Sequence, residues 1–171
     1  MQLVPHSTTA TSLVQSIDTA VWSEAGRWHF RYLVDGIDGL ILLDQRTAVR
    51  TDDLWRHSCF EAFVGLGDGA YLEFNWSPST QWAAYRFDRY RDARSDEPAE
   101  IEIVIEKGEA RFSLEAVVKC SALTEGSSLG LSAVIKERGG TSYWALAHPD
   151  GRPDFHDRAC FQALLANIAQ P

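Results

Sequence analysis

Apolar and polar residues alternate along most of the chain, the period of a β-strand whose two faces meet different surroundings. Trp28, Phe30, Tyr32 and Val34 fall on one face, with Arg27, His29 and Arg31 on the other. Near Cys59, the residues Phe60, Ala62 and Val64 oppose His57, Cys59, Glu61 and Phe63. Leu72, Phe74 and Trp76 then alternate with Tyr71, Glu73 and Asn75, and Ala83, Tyr85 and Phe87 with Trp82, Ala84, Arg86 and Asp88. Ile101, Ile103 and Ile105 turn through Lys107-Gly-Glu into Phe112, Leu114, Ala116 and Val118, which predicts a hairpin. Leu129 to Ile135 and Tyr143 to Ala147, joined at Gly139-Gly140, predict another pair, and Leu40 to Leu43 predicts a short buried strand.

Turn compositions recur about every 8–12 residues, as at Gly65-Leu-Gly-Asp-Gly69 and Ser77-Pro-Ser-Thr80. Together these signals predict about ten strands, antiparallel because hairpin-length loops join them. The expected fold class is all-β: a jelly-roll or immunoglobulin-like sandwich with little or no helix. The charged stretch from Arg89 to Ala99 reads as an exposed loop, and residues 157–169 as either a short helix or a closing strand. A chain of 171 residues, without internal repeat or linker, is expected to form one domain over residues 1–171.

Composition narrows the partners. The net charge of −8 argues against nucleic acid or an anionic membrane surface, because phosphate binding needs a cationic face. Cys59, Cys120 and Cys160 are odd in number and lack CxxC spacing, so reduced thiols are expected. No signal-peptide pattern and no run long enough to span a bilayer is visible, so the expected location is cytoplasmic.

The segment from Trp55 to Tyr90 is richest in candidate chemistry. A regular hairpin would set Glu61 directly opposite Glu73, about 5 Å apart at Cβ. Facing carboxylates need compensation. Three readings follow: neutralisation by Arg56 or Arg86, a ligand site for hydroxyls, or the acid and nucleophile of a retaining glycosidase, whose carboxyls stand about 5–5.5 Å apart. In the next hairpin, a regular register pairs Trp76 with Trp82, whereas a bulge would turn Arg86 toward Glu73. Trp55, Trp76 and Trp82 lie near turns, and with Asn75 they offer the stacking rings and polar groups that a sugar needs. His148, Asp154, His156 and Asp157 are metal-capable, but their spacing matches no zinc motif, and a stapled turn explains them as well. GxSxG, GxGxxG, P-loop and HExxH patterns are absent.

The runs Leu54-Trp-Arg-His-Ser-Cys-Phe-Glu-Ala-Phe-Val64, Tyr71-Leu-Glu-Phe-Asn-Trp-Ser-Pro78 and Trp82-Ala-Ala-Tyr85 resemble the DOMON-like family related to type 9 carbohydrate-binding modules. Tyr143-Trp-Ala-Leu-Ala-His-Pro149 and Pro153-Asp-Phe-His156 resemble its bacterial stand-alone branch. The resemblance implies a β-sandwich with a ligand site on or beside one sheet. Relatives bind sugars or haem, and the type 9 modules hold a terminal sugar between tryptophans and carry calcium. By analogy Trp55, Trp76 or Trp82 would take the tryptophan role. The Met and His haem ligation of some relatives has no counterpart here, since the only methionine is Met1.

The expected function is non-catalytic binding of a carbohydrate or glycan fragment through Trp55, Arg56, Glu61, Glu73, Asn75, Trp76, Trp82, Arg86, His148 and His156. The alternatives are a haem or small-hydrophobe binder using His148 or His156, and a glycoside hydrolase using the carboxylate pair.

Overall fold

A computed structural model describes residues 1–9 and 12–166. It is all-β and antiparallel, with two single-turn 3-10 segments at Leu54–Arg56 and Arg158–Cys160. The strands are Gln2–Pro5 (β1), Ser16–Glu24 (β2), Arg27–Asp35 (β3), Cys59–Gly67 (β4), Ala70–Trp76 (β5), Trp82–Phe87 (β6), Ser95–Asp96 (β7), Glu100–Lys107 (β8), Arg111–Lys119 (β9), Ser128–Glu137 (β10), Gly140–Ala145 (β11) and Ala163–Leu164 (β12).

The strands join in one hydrogen-bonded sheet, in the order β7-β6-β5-β4-β10-β11-β1-β2-β3-β9-β8, with β12 added beside β10. One continuous sheet thus stands where two separate layers were expected. The joint is β1, which pairs with β2 through Gln2 and Leu3 and with β11 through Val4 and Pro5. The sheet curls into an open half-barrel, and residues on strands far apart in its order meet inside the curl. Phe30 on β3 lies 5.0 Å from Trp76 on β5, and Phe60 on β4 lies 5.8 Å from Phe112 on β9. The Tyr32 hydroxyl crosses the same core to donate to the Glu61 carbonyl at 2.6 Å.

The predicted alternation places the core. Phe30, Tyr32, Val34, Phe60, Ala62, Val64, Leu72 and Phe74 are all fully buried on the inner face. Three segments differ from expectation. The run from Trp28 predicted β3, but its hairpin partner β2 had no counterpart among the predicted strands, although Ile17, Thr19 and Val21 alternate and Ala25-Gly26, both at positive φ, make the two-residue turn. Leu40 to Leu43 is not a strand: Leu40 makes one bridge to Glu137, and Ile41 is exposed. The C-terminal stretch contains both a 3-10 turn and the short β12; residues 167–169 lie outside the described residues.

The β4–β5 hairpin sets the geometry that matters for function. Asp68 and Gly69, both at positive φ, form the two-residue turn that pairs Gly67 with Ala70. Continued unbroken, this register would set Glu61 against Trp76 and send Glu61 and Glu73 to opposite faces. A bulge between Gly65 and Gly67 absorbs Leu66 and changes the parity. The pairs become Phe63 with Glu73 and Glu61 with Asn75. The two glutamates therefore share a face as diagonal neighbours, not as the direct cross-strand pair expected from the sequence.

Candidate functional site

The outer face of β4, β5, β6, β10 and β11 carries a second apolar cluster, including Phe63, Tyr85, Phe87 and Val134, beneath three loops. Between this face and the loops lies a cavity of about 590 Å³. Glu61, Glu73 and Asn75 line it, side by side with Phe63 and Tyr85. They share the face because the bulge and the regular β5–β6 register, with Trp76 opposite Trp82 and Glu73 opposite Tyr85, both preserve it.

Three chain segments complete the wall. Leu54 is buried and anchors the first 3-10 turn, which leaves Trp55 about half exposed at 52% and Arg56 beside it. The loop after β6 brings in Arg91 and Arg94, and the segment before the second 3-10 turn brings in Phe155 and His156. The last two segments are tied together: Arg91 pairs with Asp154 at 2.7 Å, and the Tyr90 hydroxyl donates to the same carboxylate.

Glu61 and Glu73 are buried, 3% and 7% exposed. The Ser132 hydroxyl donates to Glu61 at 3.0 Å, and the Asn75 amide donates to Glu73 at 2.7 Å. Burial, reinforced by the charge of Glu73, pushes the Glu61 carboxyl up to about 8, so it is protonated at neutral pH and can donate a hydrogen bond. Burial also raises Glu73, while Asn75, Arg91 and Arg94 pull it back. The His156 ring lies with Nε2 3.8 Å from Glu73 and Nδ1 2.7 Å from the Tyr71 hydroxyl. Burial lowers this imidazole to about 4, so at neutral pH it is an uncharged contact of Glu73 and not its ion-pair partner. The Tyr71 hydroxyl accepts from the Arg91 backbone N–H at 3.1 Å, which joins loop, ring and carboxyl in one network.

The structure gathers Trp55, Arg56, Glu61, Glu73, Asn75 and His156 around one cavity and leaves the other candidates elsewhere. Trp76 is fully buried on the inner face, and Trp82, its cross-strand partner, packs against the same core. Neither ring can stack on a ligand in this cavity. Arg86 also points away from it and pairs with Asp88, so the regular register removes the expected Arg86–Glu73 contact. Arg56 pairs with Asp53 and is not the buried counterion of the glutamates.

His148 gives Nε2 to the Val4 carbonyl at 2.9 Å and packs its ring edge on His6. Its Nδ1 is buried and has no hydrogen-bond partner among the described residues, so it faces no open space for a haem. His156 is committed to Tyr71 and Glu73, so neither histidine fits an axial ligand. Asp154 holds the loop latch, and Asp157 caps the second 3-10 turn by accepting from the Ala159 N–H at 2.8 Å. Among the described residues no three His, Cys, Asp or Glu side chains are arranged to hold a metal ion, so the residues do not fit the calcium that the family resemblance implies.

Arg91, Arg94, Lys136, Tyr143 and Phe155 also line the cavity and were not among the predicted site residues. Tyr143 and Lys136 lie on strands whose alternation points them outward, a signal present in the sequence. The arginines belong to a loop without periodicity, and nothing local announces them.

Fold and site define an antiparallel all-β protein with a half-enclosed, polar-floored and aromatic-walled cavity on the outer face of its sheet. No family model matches the chain, and no curated protein sequence matches it. Its fold is similar to that of a Bacteroides uniformis protein described as "a putative carbohydrate-binding protein", with a TM-score of 0.60 over 85% of this chain and 76% of that one. The two sequences are 15% identical, so the likeness speaks for the fold. No helix among the described residues is long and apolar enough to cross a membrane.

Proposed function

We propose that this chain is a non-catalytic carbohydrate-binding protein whose ligand occupies the cavity over Glu61, Glu73 and Asn75. The observation that carries this reading is the pairing of a hydrogen-bonding floor with aromatic walls in one cavity of monosaccharide to disaccharide scale. Sugar hydroxyls both give and take hydrogen bonds. Protonated Glu61 supplies a donor, Glu73 an acceptor, and Asn75 can do either. Trp55 offers a ring face for the apolar side of a pyranose. The family resemblance and the fold of the Bacteroides protein support the same reading, as does packing of the curled sheet's two halves like the layers of a sandwich.

Isothermal titration against a panel of neutral and charged monosaccharides and disaccharides tests the proposal. Binding is expected for at least one sugar, weakened about tenfold or more in Glu73→Gln and in Trp55→Ala. Absence of both heat and tryptophan fluorescence change with every sugar would overturn it.

A further inference from the structure

Charge around the cavity runs against charge in the chain as a whole. The protein carries −8, yet Arg56, Arg91, Arg94 and Lys136 all line this one cavity. Two of the four are spoken for: Arg56 by Asp53 at 3.3 Å and Arg91 by Asp154 at 2.7 Å. Arg94 and Lys136 have no carboxylate within ion-pair distance among the described residues. Lys136 gives one hydrogen to the Thr141 hydroxyl at 2.9 Å. The Arg94 guanidinium lies over the Tyr85 ring, 4.7 Å from its centroid, a contact that leaves its in-plane N–H donors free.

These two cations approach from opposite flanks. In the sheet order Arg94 follows β6 at one side of β5 and β4, and Lys136 sits on β10 at the other. The floor between them does not cancel their field, since Glu61 is neutral at pH 7. Glu73, the other carboxyl of the floor, is already bound to Asn75, and Asp53 at the cavity wall is paired with Arg56. A concave site with unpaired cations at both sides concentrates anions, and a guanidinium fork matches a carboxylate or phosphate in plane.

Resting on the carbohydrate reading above, we propose that the bound sugar is an acidic one, its carboxylate or phosphate held by Arg94 within the added field of Lys136, and its hydroxyls held by Glu73 and Asn75. Tyr85 fixes the guanidinium from below, so the cation is positioned before the ligand arrives.

The test is isothermal titration of the full chain with matched pairs: galacturonate against galactose, and glucose 6-phosphate against glucose, with inorganic phosphate as a sugar-free anion. The acidic member of at least one pair is expected to bind about tenfold more tightly than its neutral counterpart, the worth of one charge-assisted hydrogen bond. In Arg94→Gln that ratio is expected to fall to about two or less. Arg94 is exposed, so the variant should keep its fold, which a thermal melt verifies. Equal affinity within both pairs overturns the acidic-sugar inference and leaves the carbohydrate reading standing. Inorganic phosphate binding as tightly as the sugar acids overturns the sugar part of it. A preference that survives Arg94→Gln overturns the assignment to that residue. Failure of every sugar to bind overturns both readings together.

Discussion

Asn75 stands directly across the ladder from Glu61, yet gives its amide hydrogen to Glu73, two residues back on its own strand, at 2.7 Å. Its carbonyl oxygen meanwhile faces the Cys59 thiol at 3.5 Å. One side chain thus occupies the space between two buried carboxyls and satisfies one of them. Replacing it with Ala leaves Glu73 buried without its amide donor. Asn75→Ala is expected to cost about 1–3 kcal/mol, read as a lower denaturant midpoint at unchanged slope. An unchanged midpoint would mean that water replaces the amide without loss.

Stability should fall as pH rises through neutrality. Glu61 has an ordinary value of 4.5 and is held at about 8 in the folded protein. Over that range the folded state binds the proton that the unfolded state has released. The stabilisation is complete below 4.5 and is lost as pH climbs to 8. His156 acts in the other direction, its ordinary 6.5 lowered to about 4, so its contribution grows with pH only up to about 6.5. Between pH 6.5 and 8 the Glu61 effect is unopposed by His156. The unfolding free energy should drop by up to about 1.4 kcal/mol per pH unit there. Urea titrations across this window should show the drop in the wild type and a shallower one in Glu61→Gln. A flat wild-type profile would contradict the assignment.

Glu137 holds a second buried network, remote from the cavity. Its carboxylate accepts from the Leu13 N–H at 2.8 Å, the Val14 N–H at 3.2 Å, and the Ser12 and Ser142 hydroxyls at 2.7 and 2.9 Å. It clasps the segment before β2 to the end of β10. Glu137→Ala strands these donors and is expected to lower stability by roughly 3 kcal/mol. Glu137→Gln, which keeps one acceptor oxygen, should lose less, and the comparison of midpoints checks the order.

Deleting Leu66 removes the extra residue of the bulge between Gly65 and Gly67. Gly67 would still pair with Ala70 and Gly65 with Tyr71 in a regular ladder, so Phe63 stays opposite Glu73, Glu61 stays opposite Asn75, and both glutamates keep the outer face. The deletion is therefore expected to preserve cooperative unfolding and sugar binding. Heat-denaturation profiles and sugar titration check this, and loss of binding in a folded deletion variant would contradict it.

The alternation in the sequence was enough to name the inner face of β3, β4, β5 and β9, because side chains of a strand alternate by a rule that needs no knowledge of neighbours. It also put Glu61 and Glu73 among outward-facing positions. It could not fix their register. The expected direct pair proved diagonal, because one residue absorbed at Leu66 resets every pairing beyond it. Arg86 and Arg94 make the same point. A conceivable bulge made Arg86 a partner for Glu73, but the regular β5–β6 hairpin turns it away. Arg94, on a loop with no period, is the arginine that reaches the cavity.

What the sequence determined by itself was the strand character, the antiparallel hairpins and the set of residues available to each face, all consequences of local geometry repeated every second residue. The tertiary structure decided the rest. It made β1 the joint that merges two expected layers into one curled sheet, and it buried Trp76 on the inner face with Trp82 packed beside it. It also folded the loops carrying Trp55, Arg94 and His156 over two carboxyls. Those outcomes depend on contacts between residues far apart in the chain, where one bulge or one loop closure changes the partner and no local pattern records the choice.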